Sequence, residues 1–157
     1  MINTPFAVQV DDGSGGTQNV AVSLTPKSTN SNILVHVNWF GEVHYNNVFF
    51  LRRANADGSV TDLKGTGQSN QNAGLSIECN NYTNQNNNTP GNCTIMFIDD
   101  GTALSKWSAA GLGTITYTLF ANVQSTTALT TNRSIVDSNT TAYETGYTIM
   151  TATEIAG

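Results

Sequence analysis

The sequence predicts an all-β protein, an antiparallel β-sandwich or jelly roll, and three observations carry that expectation. Short runs of alternating apolar and polar residues recur at a spacing of roughly 8–12 residues. Clusters of Gly, Pro, Asn, Asp and Ser separate these runs. No long segment repeats its apolar side chains with the 3.6-residue period of a helix. With 157 residues, no internal repeat and no linker, the chain is expected to form one domain over residues 1–157.

The run over residues 33–43 is the natural centre. Ile33, Val35, Val37 and Trp39 share one parity, and therefore one face of a strand, while Leu34, His36, Asn38 and Phe40 occupy the other. The wholly apolar face belongs in the core. The mixed face is expected to meet solvent, a loop or another subunit. Before this run, Phe6, Val8 and Val10 alternate up to the turn cluster Asp11-Asp12-Gly13-Ser14-Gly15-Gly16, and Val20, Val22 and Leu24 form a second run closed by Pro26. After it, the apolar stretch 48–51 ends at Arg52-Arg53, and Ala56-Asp57-Gly58-Ser59 signals a hairpin into residues 60–63. Leu75, Ile77 and Cys79 lead into an Asn-rich loop over residues 80–92, and Cys93, Ile95 and Phe97 resume the alternation. Ile115, Tyr117, Leu119, Ala121 and Val123 line one face of a long strand, and Tyr147, Ile149 and Ile155 share parity in a last one.

Charged residues make up only 11% of the chain, against about 25% for an ordinary soluble domain. Thr, Asn, Ser and Gln take their place, so the surface is hydrogen-bonding but weak in long-range field. A net charge of −5 and six scattered basic residues, of which only Arg52 and Arg53 adjoin, predict no nucleic-acid partner. No apolar run approaches the ~20 residues of a membrane span. The N-terminus has neither a basic start nor an apolar segment of the secretory kind, which suits a protein made in a cytoplasm and released by lysis.

Cys79 and Cys93 flank the Asn-rich loop. If their runs pair antiparallel, the sulfurs face each other across the loop's mouth, and a disulfide would close about 15 residues and contribute roughly 3 kcal/mol. Two buried free thiols are the other reading. His36 and His44, the only histidines, lack a nucleophile motif to serve. The Asp-Gly turns at 11–14 and 99–102 lack the spacing of a calcium loop. Glu42, Glu78, Asp99 and Asp137 could supply a glycosidase pair only if two of them faced each other across a cleft. No enzyme, cofactor or metal is therefore expected. Asn-x-Ser/Thr triplets at Asn81, Asn87, Asn92, Asn132 and Asn139 follow from the composition alone. Phe49 and Leu51 are expected to be exposed apolar residues of an assembly surface. Trp39 is expected in the core, its indole N–H on a backbone carbonyl. Trp107, with no alternating run around it, is expected to be partly exposed as an intersubunit or ligand contact. Tyr82 in the Asn-rich loop could stack on a sugar ring.

Three patches carry a resemblance. They are Leu24-Thr25-Pro26 followed by Asn32-Ile33-Leu34-Val35; Phe97-Ile98-Asp99-Asp100 followed by Gly113-Thr114-Ile115-Thr116-Tyr117-Thr118-Leu119; and Asn132-Arg133-Ser134 followed by Thr148-Ile149-Met150-Thr151-Ala152-Thr153-Glu154-Ile155-Ala156-Gly157. From about residue 20 onward the chain resembles modules of tailed-bacteriophage virion proteins. The resemblance implies a trimeric jelly roll similar to the C1q and tumour necrosis factor fold. It implies a non-enzymatic homotrimer on the virion exterior, in contact with other virion structural proteins. The role is capsid or tail decoration; the alternative is a distal tail-fibre module that binds host-surface glycan through residues 80–92. A first strand at Phe6 favours decoration for a complete chain and the fibre tip for a fragment. The Asn-rich loop with its cysteines departs from the pattern.

Alkylation without reduction, followed by mass spectrometry, is expected to leave Cys79 and Cys93 unmodified and joined. Modification of both would mean free thiols.

Overall fold

A computed structural model of the chain describes residues 4–11, 13–43, 47–65, 73–77, 90–101, 107, 112–123, 129–132 and 146–156. These form eleven strands and no helix: β1 Phe6–Ala7, β2 Gln9–Asp11, β3 Thr17–Asn19, β4 Ala21–Leu24, β5 Asn32–Val43, β6 Asn47–Ala54, β7 Val60–Leu63, β8 Gly91–Asp99, β9 Ile115–Val123, β10 Leu129–Thr131 and β11 Ile149–Ile155. The all-β, antiparallel expectation holds.

One sheet runs β4–β9–β6–β7, with β1 beside β4 on the same edge of β9. In the second, β5 is central, with β8 on one edge and β11 followed by β10 on the other. A two-stranded ribbon, β2–β3, stands apart. The pairing is nested. β6 pairs with its neighbour β7, β5 pairs with β8 around that hairpin, and β4 pairs with β9 around both.

Strand parity builds the core between the sheets. Ile33, Val35, Val37 and Trp39 are all fully buried, as are Phe49 and Leu51 of β6 and Tyr117, Leu119 and Ala121 of β9. The rings of Trp39 and Phe49 approach to 4.8 Å between centroids, tilted by 41°, a geometry that suits their quadrupoles. The Trp39 indole N–H donates not to a backbone carbonyl but to Thr131 Oγ1 of β10, at 3.2 Å. Next to it, a Cβ on Gly41 would overlap the Thr130 carbonyl oxygen and crowd the Trp39 ring, so only glycine lets β10 close over the indole.

Phe49 and Leu51 are therefore not an exposed surface. The stretch 48–51 is apolar at both parities because its strand lies within a sheet, and 49 and 51 take the inward one. Phe50, on the other parity, is buried as well: its ring lies 5.6 Å from Phe120, with Lys64 Nζ above it. Residues 75–76 do not pair with β8 as the loop-mouth geometry required. Ser76 bridges Phe49 instead, and Cys93 stands opposite Trp39 on β5. Cys79 lies outside the described residues.

Replacing Trp39 by Ala removes the largest fully buried side chain and leaves a cavity. A loss of about 3–5 kcal/mol is expected, read from the midpoint shift in urea unfolding.

Candidate functional site

Two features break the pattern of an apolar inside and a neutral-polar outside. The first is a polar cluster between the sheets. Arg53 continues the inward parity of Phe49 and Leu51 on β6, and Asp99 continues that of Ile95 and Phe97 on β8. Arg53 Nη1 donates to both Asp99 carboxylate oxygens at 2.6 Å. The Tyr117 hydroxyl of β9 donates to Asp99 Oδ2 at 2.9 Å, and the Gly101 N–H donates to Oδ1 at 3.0 Å. Arg53 and Asp99 are only 1% and 4% exposed. The Arg53 Nε and Nη2 atoms have no hydrogen-bond partner among the described residues, but the guanidinium lies 5.4 Å from the Trp107 ring centroid, a cation–π arrangement.

Trp107 is thus a lid on this cluster and not an exposed contact. It is 5% exposed, takes a left-handed φ of 59°, and donates its indole N–H to the Ser31 carbonyl at 2.9 Å. That φ is unusual for a bulky residue, and the two anchors of its ring hold it there. Burial, together with the Asp99 carboxylate, pushes the Tyr117 hydroxyl far above the ordinary tyrosine range, against a smaller opposing pull from Arg53. A catalytic acid or base must reach a reacting atom. Here each Asp99 oxygen is already spent on donors within the core, so the cluster reads as a clamp between sheets.

The second feature is the outer face of β8–β5–β11. Register places Ile98, Leu34 and Thr153 in one row, Met96, His36 and Thr151 in the next, and Thr94, Asn38 and Ile149 in a third; Ile155 stands opposite Asn32. Met96 is 71% exposed, Ile98 59% and Ile149 57%, and Tyr147, two residues before Ile149, is more exposed still. Among the described residues, five of the seven exposed large apolar side chains belong to these two strands or their approach. Scattered exposed apolar residues need no explanation, but Met96 and Ile98 adjoin on β8 with Leu34 beside Ile98, and an apolar patch of this kind is a candidate interaction surface. The mixed face of β5 thus points outward as expected, and the apolar residues that flank it come from β8 and β11.

The apolar surface was legible in part. Ile95-Met96-Phe97-Ile98 is apolar at both parities, the signature of a strand covered on both faces. The cluster had its signal too: an Arg and an Asp each at the core parity of its own strand. Elsewhere, Glu42 is buried at the end of β5, and Glu78, Asp137, His44 and Tyr82 lie outside the described residues. Among the described residues no group of three or more metal-ligating side chains occurs, and no helix is long and apolar enough to cross a membrane. The chain matches no known family, no curated protein and no solved structure.

The Tyr117 hydroxyl makes a pH prediction. Above about pH 10 an unfolded tyrosine releases its proton while folded Tyr117 keeps it, so the unfolded chain binds fewer protons and stability falls as pH rises. Tyr117→Phe is expected to cost about 1–2 kcal/mol near neutrality and to flatten that alkaline loss, as read by denaturant unfolding on both sides of pH 10.

Proposed function

We propose that this protein is a non-enzymatic external structural protein of a tailed-phage virion, a homotrimeric jelly roll seated on the capsid or tail surface. The observation that carries the reading is the outer face of β8–β5–β11, where Met96, Ile98 and Ile149 stand exposed in rows that hold no Asp, Glu, Lys or Arg. A chain with net charge −5 repels its own copies over most of its surface, and the repulsion is least where surfaces without charge meet. Closed symmetry is the usual way for such a face to be covered without leaving a free edge to propagate. The nested pairing of β6 with β7, β5 with β8 and β4 with β9 supports the jelly-roll part of the proposal, since that order is what a ribbon of paired strands acquires when rolled into two sheets. The resemblance of residues 20–157 to virion modules supports the location. Other virion proteins are the partners.

Light scattering at micromolar concentration and mildly alkaline pH is expected to report three times the chain mass of 16.7 kDa. Met96→Asp places a charge in the face and is expected to weaken assembly about a hundredfold or more, leaving a folded monomer. A wild-type monomer would overturn the assembly reading. Immunogold labelling of intact particles tests the location: label on the capsid or tail exterior is the expected outcome.

A further inference from the structure

The outer face of β8–β5–β11 has one basic side chain among its described residues, and it stands at the centre. His36 is exposed, on the middle strand, in register with Met96 on β8 and Thr151 on β11. The residues that face it from the adjoining rows are Thr94 and Ile98 of β8, Ile149 and Thr153 of β11, and Leu34 and Asn38 of β5, and none is charged. The charged groups of these strands stand away from His36 and its adjoining rows. Asp99 is buried on Arg53, and Glu42 is buried at the far end of β5. The Glu154 carboxylate accepts the Lys27 and Ser28 backbone N–H groups at 2.8 and 3.2 Å. Asp100 lies past the end of β8, exposed. β10 has no ionisable residue. Among the described residues, a proton taken up by His36 therefore meets no carboxylate in its own row or in the two adjoining rows.

We infer that His36 makes self-assembly through this face pH-dependent, favouring the assembled state when its imidazole is neutral and the separated subunits when it is charged. This rests on the assembly reading above, with further copies of this chain as the occupant of the face. Covering the face removes His36 from water, and burial disfavours the charged form. The assembled state then binds fewer protons than the free subunits, so association weakens as pH falls through the range where imidazoles charge. Each copy brings its own His36, so the dependence is steeper than a single histidine would give. The chemistry resembles that of interfaces which release on acidification: a neutral donor and acceptor becomes a cation with no carboxylate beside it, among Met, Ile, Leu, Thr and Asn side chains.

The test is light scattering as a function of protein concentration at about pH 8 and about pH 5, on the wild type and on His36→Gln, with near-UV circular dichroism confirming the fold at each pH. The wild type is expected to need about tenfold or more protein to assemble at the lower pH, and His36→Gln is expected to assemble alike at both. His36→Asn serves if the Gln variant does not fold. A wild type that assembles equally at both pH values, or a variant that keeps the dependence, overturns the role of His36 and leaves the assembly reading standing. A folded wild-type monomer at about pH 8 overturns both.

Discussion

The buried pairing of Arg53 with Asp99 is the constraint around which the two sheets are set. Taking both charges out of water costs several kcal/mol per ion unless geometry and further hydrogen bonds compensate. Here the compensation comes from three directions. The carboxylate receives donors from β6, from β9 and from the turn after β8, and the guanidinium is capped by an indole. Such an arrangement is weak as a source of net stability but demanding in position, because removing one partner strands the other. It fixes where β8 sits relative to β6 and β9. It also accounts for Trp107, whose backbone adopts an uncommon conformation so that its ring closes the cluster and its N–H reaches the chain just before β5.

With the interior fixed in this way, β5 divides two environments. Its inward side chains are the middle of the core, and its outward ones are the middle of the uncharged face. That face suits the composition. A surface made soluble by hydroxyls and amides, with few ions, has little electrostatic contrast between what meets water and what meets another subunit. In the assembly proposed above, selectivity would come from shape and from apolar side chains such as Met96 and Ile98. One described pair of charges is used locally: Arg52 makes a two-point contact with Asp62 at 2.6 and 3.1 Å and lies over the Phe120 ring, on the other sheet.

Much of the fold was legible because period-two alternation is a direct print of the pleat, and residues 33–43 and 115–123 keep an apolar side chain at every inward position but Gly41. It failed where alternation is absent or ambiguous. β10 is three residues long, too short to print a pattern, yet it supplies the hydroxyl that satisfies Trp39. Residues 48–51 are apolar at both parities, so sequence could not say which of Phe49 and Phe50 points inward, and in the structure both are covered. Trp107 has no alternating run around it in the sequence, and the tertiary placement of Arg53 and of the Ser31 carbonyl accounts for its burial. The candidate surface was half visible: the outward face of β5 could be read from its own parity, whereas its continuation onto β8 and β11 depended on which strands flank it.

The ribbon of β2 and β3 has a consequence of a different kind. Gln9 and Asn19 link its base through their amides at 3.1 Å, Asp11 Oδ1 accepts the Gly13 N–H at 2.8 Å, and Gly13 and Gly15 take positive φ with open space around them. The ribbon joins the body through backbone bonds of Val8 and Val20, all on the near side of that turn. Foreign peptide spliced between Gly13 and Gly15 would lengthen a solvent-facing tip without touching either sheet, the clamp or the apolar face. That makes this tip the natural graft point for turning the domain into a carrier of displayed epitopes.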